Sequence, residues 1–167
     1  ACISTLTGLG IDTSDINIAA QGRFGLYFVE RGANQRPSKV IYDRTYSSVS
    51  LEPASSYNWS AIFEDAGWLH LTGITPALSE SSAEVSLIAL QKAKKAGLMT
   101  STDLNFRKNL WTWRAGTNAK DLAQETMRKL LPYIDVVIGN EEDAHDVLGI
   151  EAENSDIEGG SIDASKY

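Results

Sequence analysis

The chain has 167 residues, 43% of them apolar, with 15 basic and 22 acidic side chains giving a net charge of −7. That is the size of one domain with enough apolar residues for a packed core, and the acidic balance excludes a nucleic-acid surface, which needs Lys and Arg clustered along the phosphate track. No Lys/Arg-rich helix offers a face to an anionic membrane, and the apolar runs are too short to span a bilayer.

The first residues, ACISTLTGLG, show neither a basic nor a long apolar signal region. Cys2 is the only cysteine, so no internal disulfide can form, and the expected compartment is the reducing cytoplasm. Ile3, Leu6 and Leu9 recur at helical spacing, and Gly10 is placed to cap that helix. Asp12 to Asp15 predicts a turn. Arg23–Glu30 and Ser38–Thr45 are rich in aromatic and β-branched residues and flank a polar, Pro-containing run, which predicts a β-hairpin with a long loop. From Trp59 the pattern alternates. A short helix over Trp59–Asp65 precedes a strand over Trp68–Thr72 and Gly73. Ser81–Ala96 predicts a helix, with Ser81-x-x-Glu84 as a capping box, Val85, Ile88 and Leu90 on a broad apolar face, and lysines in the last turns before Gly97. Leu98–Leu104 predicts a strand, Ala119–Leu131 a helix stopped by Pro132, Ile134–Ile138 a strand, and Glu141–Leu148 a helix with an acidic first turn. Residues 151–167 form an acidic segment containing Gly and Ser. The expected division is therefore 1–15 as a helix end and turn, 16–50 as a hairpin, 51–150 as an α/β core, and 151–167 as a connecting segment.

Strand and helix in strict alternation imply an α/β fold with right-handed crossovers and a mainly parallel sheet. Ligands bind such sheets outside the carboxyl ends of the strands. That rule selects Gly73–Pro76, Asp103–Arg107 and Asn140–Asp143, all polar or Gly-rich. While the chain stays extended, Asp103, Asn105 and Arg107 share one side. Arg107 offers a planar fork for carboxylate or phosphate, and Asn105 offers a donor and an acceptor; the plainer alternative is loop polarity, with Asp103 and Arg107 paired. Asn140 is either a helix N-cap followed by dipole-favoured Glu141, Glu142 and Asp143 or an amide beside a magnesium-bound phosphate. Tyr42 and Arg44, two apart, share a face of the hairpin with Tyr27 nearby; an exposed amphipathic face is the alternative to a binding face. His70 reads as a core histidine with its polar atoms satisfied, His145 as a helix-surface residue, and Trp59, Trp68, Trp111 and Trp113 as packing. No phosphate-loop motif, dinucleotide fingerprint or zinc-ligand cluster is present in the sequence.

Three stretches occur in order and at suitable distances: His70-Leu-Thr-Gly-Ile-Thr-Pro-Ala-Leu-Ser79, Asp103-Leu-Asn-Phe-Arg-Lys-Asn-Leu-Trp111 and Gly139-Asn-Glu-Glu-Asp-Ala144. With Gly25-Leu-Tyr27 and Tyr42-Asp-Arg44 before them, the chain resembles the ribokinase-like (PfkB) carbohydrate kinases, and within them the kinases of 2-keto-3-deoxygluconate. The resemblance implies a ribokinase-like sheet with a β-hairpin lid, and ATP- and Mg2+-dependent phosphorylation of a terminal sugar hydroxyl. It implies that Tyr27, Tyr42 and Arg44 contact a sugar acid from the lid and that Ile74 lines its pocket. Arg107 would face the substrate carboxylate or the transferring phosphoryl group, as an electrostatic stabiliser. Asn105 and Asn140 would lie on the nucleotide side, and Asp143 would stand where the family commonly has a Glu near magnesium. The family's late Gly-Ala-Gly-Asp motif, whose Asp is the catalytic base, does not occur in these residues. The chain is therefore expected to be the middle portion of a kinase, inactive alone; a non-catalytic sugar-acid or nucleotide binding module and a fructose or ribose kinase are the alternatives. A homodimer or higher oligomer through the hairpin, residues 23–45, is a further expectation, because an exposed strand edge invites pairing.

Overall fold

The computed structural model describes residues 2–150. The acidic segment expected over 151–167 lies outside the described residues. Helix α1 (Cys2–Gly8) ends where the sequence places its glycine: Gly10 has φ +80°, and the amides of Gly10 and Ile11 close back on the carbonyls of Thr7 and Leu6. This double closure is the left-handed cap that glycine favours. In the turn that follows, the Asp12 carboxylate accepts from the Ser14 amide and hydroxyl at 2.9 and 2.8 Å.

Strands β1 (Leu26–Glu30) and β2 (Lys39–Asp43) form an antiparallel two-stranded sheet in which Tyr27 faces Tyr42. Every residue of β1 is exposed. Helix α2 (Ser48–Leu51) leads back to the main body, where the Ser79 hydroxyl donates to the Ser50 carbonyl at 2.7 Å. Helix α3 (Trp59–Ile62) follows, with Asn58 as its N-cap.

The main body is a parallel sheet of β3 (Trp68–Thr72), β4 (Met99–Asp103) and β5 (Val136–Ile138), in the order β3-β4-β5. Helices α4 (Glu80–Lys95) and α5 (Ala119–Leu130) connect these strands. Both helices pack on one face, where Leu90, Leu104, Met127, Leu130 and Val147 form a core with Leu69 and Leu71 of β3 packed against it. The cap of helix α4 lies two residues earlier than its sequence suggests. The cap is Ser79, whose hydroxyl oxygen accepts from the Ser82 amide at 3.0 Å, while Ser81 donates to the Glu52 carbonyl. The run of serines permits several caps, and the contacts with residues 49–52 select one. The buried face of α4 is made mostly of small residues, Ser82, Ser86, Ala89 and Ala93, with Leu90; Val85 and Ile88 are only half-buried. Helix α5 gives way at Leu131 to a single 3-10 turn containing Pro132. Helix α6 (Glu141–Asp143) continues as a π-helical turn, Ala144–Leu148, ending on Gly149 at φ +69°.

Among the described residues, the other face of the sheet is left largely uncovered. Strand alternation and register put Trp68, His70, Thr72, Met99, Ser101, Asp103, Val136 and Ile138 there. His70 is consequently not a core histidine: its side chain is 48% exposed. Trp68 is 55% exposed and is not core packing either. No helix among the described residues is long and apolar enough to cross a membrane.

Candidate active site

The carboxyl ends of β3, β4 and β5 point in one direction because the strands are parallel, so the three polar exits lie side by side. At the first, Gly73 is held against the second: its amide donates to the Asp103 carbonyl at 2.8 Å. A Cβ on Gly73 would come within 2.2 Å of the Leu104 carbonyl oxygen, so only glycine fits this approach. The Asp103 carboxylate adds to the clamp, accepting from the Thr72 hydroxyl at 3.1 Å and lying 3.2 Å from His70 Nε2. Asp103 therefore serves β3 and is not paired with Arg107.

The second exit differs from its extended-chain expectation. Asn105 adopts φ +36°, a left-handed conformation that asparagine tolerates better than most residues. The chain turns there, so Asp103, Asn105 and Arg107 do not continue along one strand face. Past the turn, the Phe106 amide donates to Asp143 Oδ1 at 3.0 Å, which fastens the second exit to the third. Arg107 is exposed, and its guanidinium donates to the Phe106 carbonyl at 3.0 Å. At the third exit, Asn140 caps α6 by accepting from the Asp143 amide at 2.7 Å. The helix-cap reading of Asn140 is realised, and the same cap holds Asp143 against Phe106. Among the described residues, no three His, Cys, Asp or Glu side chains cluster as a metal cage.

The hairpin closes this group. Tyr42, Ile74 and Phe106 all pack against the cluster of Ala77, Leu110, Trp111, Leu122 and Ala123. Arg44 lies over the Tyr42 ring, 5.3 Å from its centroid. Tyr27, opposite Tyr42 in register, projects on the same side and is 59% exposed. One aromatic face of the hairpin, carrying a cation, thus meets the first two strand exits. Trp111 is buried in the shared cluster, and Trp113 packs on it under the Arg114 guanidinium with its indole N–H buried and unbonded.

A cavity of about 510 Å³ lies elsewhere, between α1 and the base of the hairpin, lined by Ile3, Ile16, Ile18, Phe24, Glu52 and Tyr57 among others. Burial, and then the Glu52 charge, push the Tyr57 hydroxyl above its ordinary pKa. The cavity is lined by none of the candidate ligand-contacting residues, and its surface is mostly apolar, so the polar strand exits are the better candidate for chemistry.

A family model for the pfkB family carbohydrate kinases matches residues 2–161. The chain belongs to that family. It is 37% identical over 131 residues to a 2-dehydro-3-deoxygalactonokinase of Haloferax volcanii, which covers 78% of this chain and 39% of the relative. A 2-dehydro-3-deoxygluconokinase of Thermoproteus tenax is 29% identical over 150 residues, covering 89% of this chain and 43% of that one. Among solved structures, the 2-dehydro-3-deoxygluconokinase of Thermotoga maritima superposes with a TM-score of 0.80 at 40% identity, over 90% of this chain and 44% of its own. The chain thus spans about two fifths of the length of the curated relatives it matches most extensively. In this PfkB chain, the sequence had selected all three strand exits and the hairpin face. It missed the Gly73 close approach, the His70–Asp103 contact and the Asp143–Phe106 bond. The glycine at a strand end was a usable signal for the first; the other two join residues more than 30 apart and leave no local pattern.

Proposed function

We propose that this chain supplies the sugar-acid wall, and part of the nucleotide wall, of a kinase that transfers the γ-phosphoryl group of ATP to a hydroxyl of 2-keto-3-deoxygluconate or 2-keto-3-deoxygalactonate. The observation that carries this reading is the meeting of Tyr42, Ile74 and Phe106 on one apolar cluster, with Arg44 stacked on Tyr42. The aromatic face suits the carbon chain of the sugar, and Arg44 suits its carboxylate, which a neutral sugar such as fructose lacks. The names of the relatives from Haloferax, Thermoproteus and Thermotoga point the same way.

Residues 16–50 act in this reading as a lid, with Tyr27 and Tyr42 against the sugar and Ile74 lining its pocket. Arg107, exposed at the turn beyond Asn105, is free to swing toward the carboxylate or the transferring phosphoryl group and to stabilise its charge. The Asn105 side chain makes no hydrogen bond among the described residues, which leaves its amide for the nucleotide. Asn140 is half-committed: its oxygen caps α6 and its amino group remains a donor. Mg2+ travelling with ATP keeps several waters and needs only one or two carboxylates. Asp143 has Oδ2 left for such a role, since Oδ1 holds the Phe106 amide. Phosphoryl transfer depends on positioning and charge stabilisation by all parts together, so this chain alone is expected to bind without turnover. The exposed apolar residues of the hairpin, Phe24, Leu26, Phe28 and Ile41 among them, suit pairing with a second copy.

Calorimetry of the 167-residue chain tests the reading. Saturable binding of 2-keto-3-deoxygluconate, weakened in Arg44→Ala and in Arg107→Ala, is expected. Fructose binding as tightly as the acid would refute it.

A further inference from the structure

The open face of the sheet carries a run of polar contacts that the proposed kinase chemistry does not use. Trp68 Nε1 donates to Ser101 Oγ at 2.8 Å. Ser101 Oγ lies 2.8 Å from His70 Nδ1. His70 Nε2 lies 3.2 Å from Asp103 Oδ2. The register makes this possible, because His70 faces Ser101 and Thr72 faces Asp103 on adjacent parallel strands.

Elementary donor and acceptor counting fixes the direction of the run. An indole N–H only donates, and an ionised carboxylate only accepts. His70 Nε2 must therefore carry hydrogen to face Asp103. In the neutral ring Nδ1 is then an acceptor, and Ser101 must donate its single hydroxyl proton to it. Ser101 in turn accepts from Trp68, which satisfies the hydroxyl of a residue that is 2% exposed. The opposite tautomer would set the bare Nε2 lone pair against the carboxylate. The contacts so read run in one direction, from Trp68 through Ser101 and His70 to Asp103.

The end of this run is the residue that clamps the first strand exit. Asp103 Oδ1 holds the Thr72 hydroxyl and approaches the Gly73 amide at 3.4 Å, one residue before Ile74. Its other oxygen, Oδ2, is the one His70 holds. A carboxylate gripped through both oxygens cannot rotate, and the Thr72–Gly73 turn is fixed with it.

We propose that His70 is a positioning residue of the sugar site, held by Ser101 and Trp68 as the Nε2–H tautomer so that it orients the Asp103 carboxylate clamping the Thr72–Gly73–Ile74 turn. The sugar-site part of this statement rests on the function proposed above; the tautomer and the clamp do not.

The test uses the 167-residue chain, its nitrogen-15-labelled form for spectroscopy, and 2-keto-3-deoxygluconate as the binding probe. Long-range proton–nitrogen spectra of the neutral ring should show His70 protonated at Nε2. Its Nδ1 resonance should carry the shift of a hydrogen-bonded acceptor and move to the free-acceptor position in Ser101→Ala. A proton on Nδ1, or an Nδ1 signal indifferent to Ser101→Ala, overturns the proposal. His70→Leu removes the donor to Asp103, whereas His70→Gln keeps an N–H near the Nε2 position. The Gly73 and Ile74 amide signals should therefore shift in His70→Leu and return toward their native positions in His70→Gln. Sugar-acid affinity should fall about tenfold in His70→Leu, the size expected for a lost hydrogen bond to a charged group, and recover in His70→Gln. Equal amide shifts in the two variants would show a merely structural role and reject the proposal. If the native chain ignores the sugar acid while the tautomer and amide responses appear as stated, the proposed function fails and the clamp stands.

Discussion

The covered face of the parallel sheet and the hairpin solve opposite problems with similar residues. Both are rich in Leu, Ile, Val and aromatic side chains. Beneath α4 and α5, Leu90, Leu104, Met127 and Leu130 are each no more than 3% exposed. On the hairpin, Leu26, Tyr27, Phe28 and Val29 are each 46–59% exposed. An apolar side chain stabilises by the area it removes from water, so the same composition holds one region together and leaves the other to find a partner. The core half is a scaffold; the hairpin half is a surface, attached to it mainly by Tyr42 and the α2 contacts with α4. The largest effect that would sharpen this contrast is on stability. Leu90→Ala should cost about 2–5 kcal/mol in urea unfolding, as expected for emptying a packed site. Val29→Ala should cost about 0.5–1 kcal/mol. Equal losses would mean that the hairpin is as integral to the fold as the core.

Much of this contrast was legible in the sequence, and the illegible part has a common cause. The strand over Trp68–Thr72, the strand expected over Ile134–Ile138 and found over Val136–Ile138, the glycine stops at Gly10 and Gly97, and the polar exits at Gly73, Asp103 and Asn140 all follow from local pattern and turn chemistry. The PfkB resemblance rested on those same exits. His70 and Trp68 were misread because alternation says which residues share a face but not whether anything covers it. The cap at Ser79 was displaced for a similar reason: the serines at 79, 81 and 82 are locally equivalent, and hydrogen bonds to Ser50, Glu52 and Val49 decide among them. The break at Asn105 was available in principle, since asparagine tolerates left-handed backbone, but the extended reading of Asp103 to Arg107 overrode it.

Where the two halves meet, their roles should separate. Gly73→Ala forces a methyl group into the Leu104 and Asp103 carbonyls. We expect a loss of about 1–3 kcal/mol of stability, as for other overpacked sites, accompanied by weaker sugar-acid binding because Ile74 moves with the turn. Thermal unfolding and calorimetry on the same variant check both. Arg44→Ala should do the reverse: affinity for the sugar acid falls about ten- to a hundredfold if the guanidinium holds the carboxylate, while stability changes by no more than about 1 kcal/mol, the worth of an accessible cation–π contact. If Arg44→Ala unfolds the chain, the hairpin is structural and the comparison fails at its junction.

The smallest effect belongs to the scaffold at the end of the sheet remote from the site. Lys94 Nζ reaches both Asp135 oxygens at 2.7 and 2.9 Å, and the Thr100 amide donates to Oδ2 at 2.9 Å. The Lys94 hydrogen bond, followed by those from Thr100, holds the Asp135 carboxyl below its ordinary value of 3.8. A depressed folded pKa means that the unfolded chain takes up the proton first on acidification. The contribution is therefore fully present above the unfolded value and is lost as pH falls through the folded one. The pair is partly open to solvent, so its share is modest. Denaturation midpoints of the native chain and Asp135→Asn should differ by a constant amount at neutral pH. That difference should shrink once pH drops below 3.8 toward the lower folded value. Because Asp135 joins β5 to β4 through Thr100, far from the hairpin, the substitution should leave sugar-acid affinity at neutral pH unchanged; a change there would show that the scaffold and the hairpin are coupled across the length of the sheet.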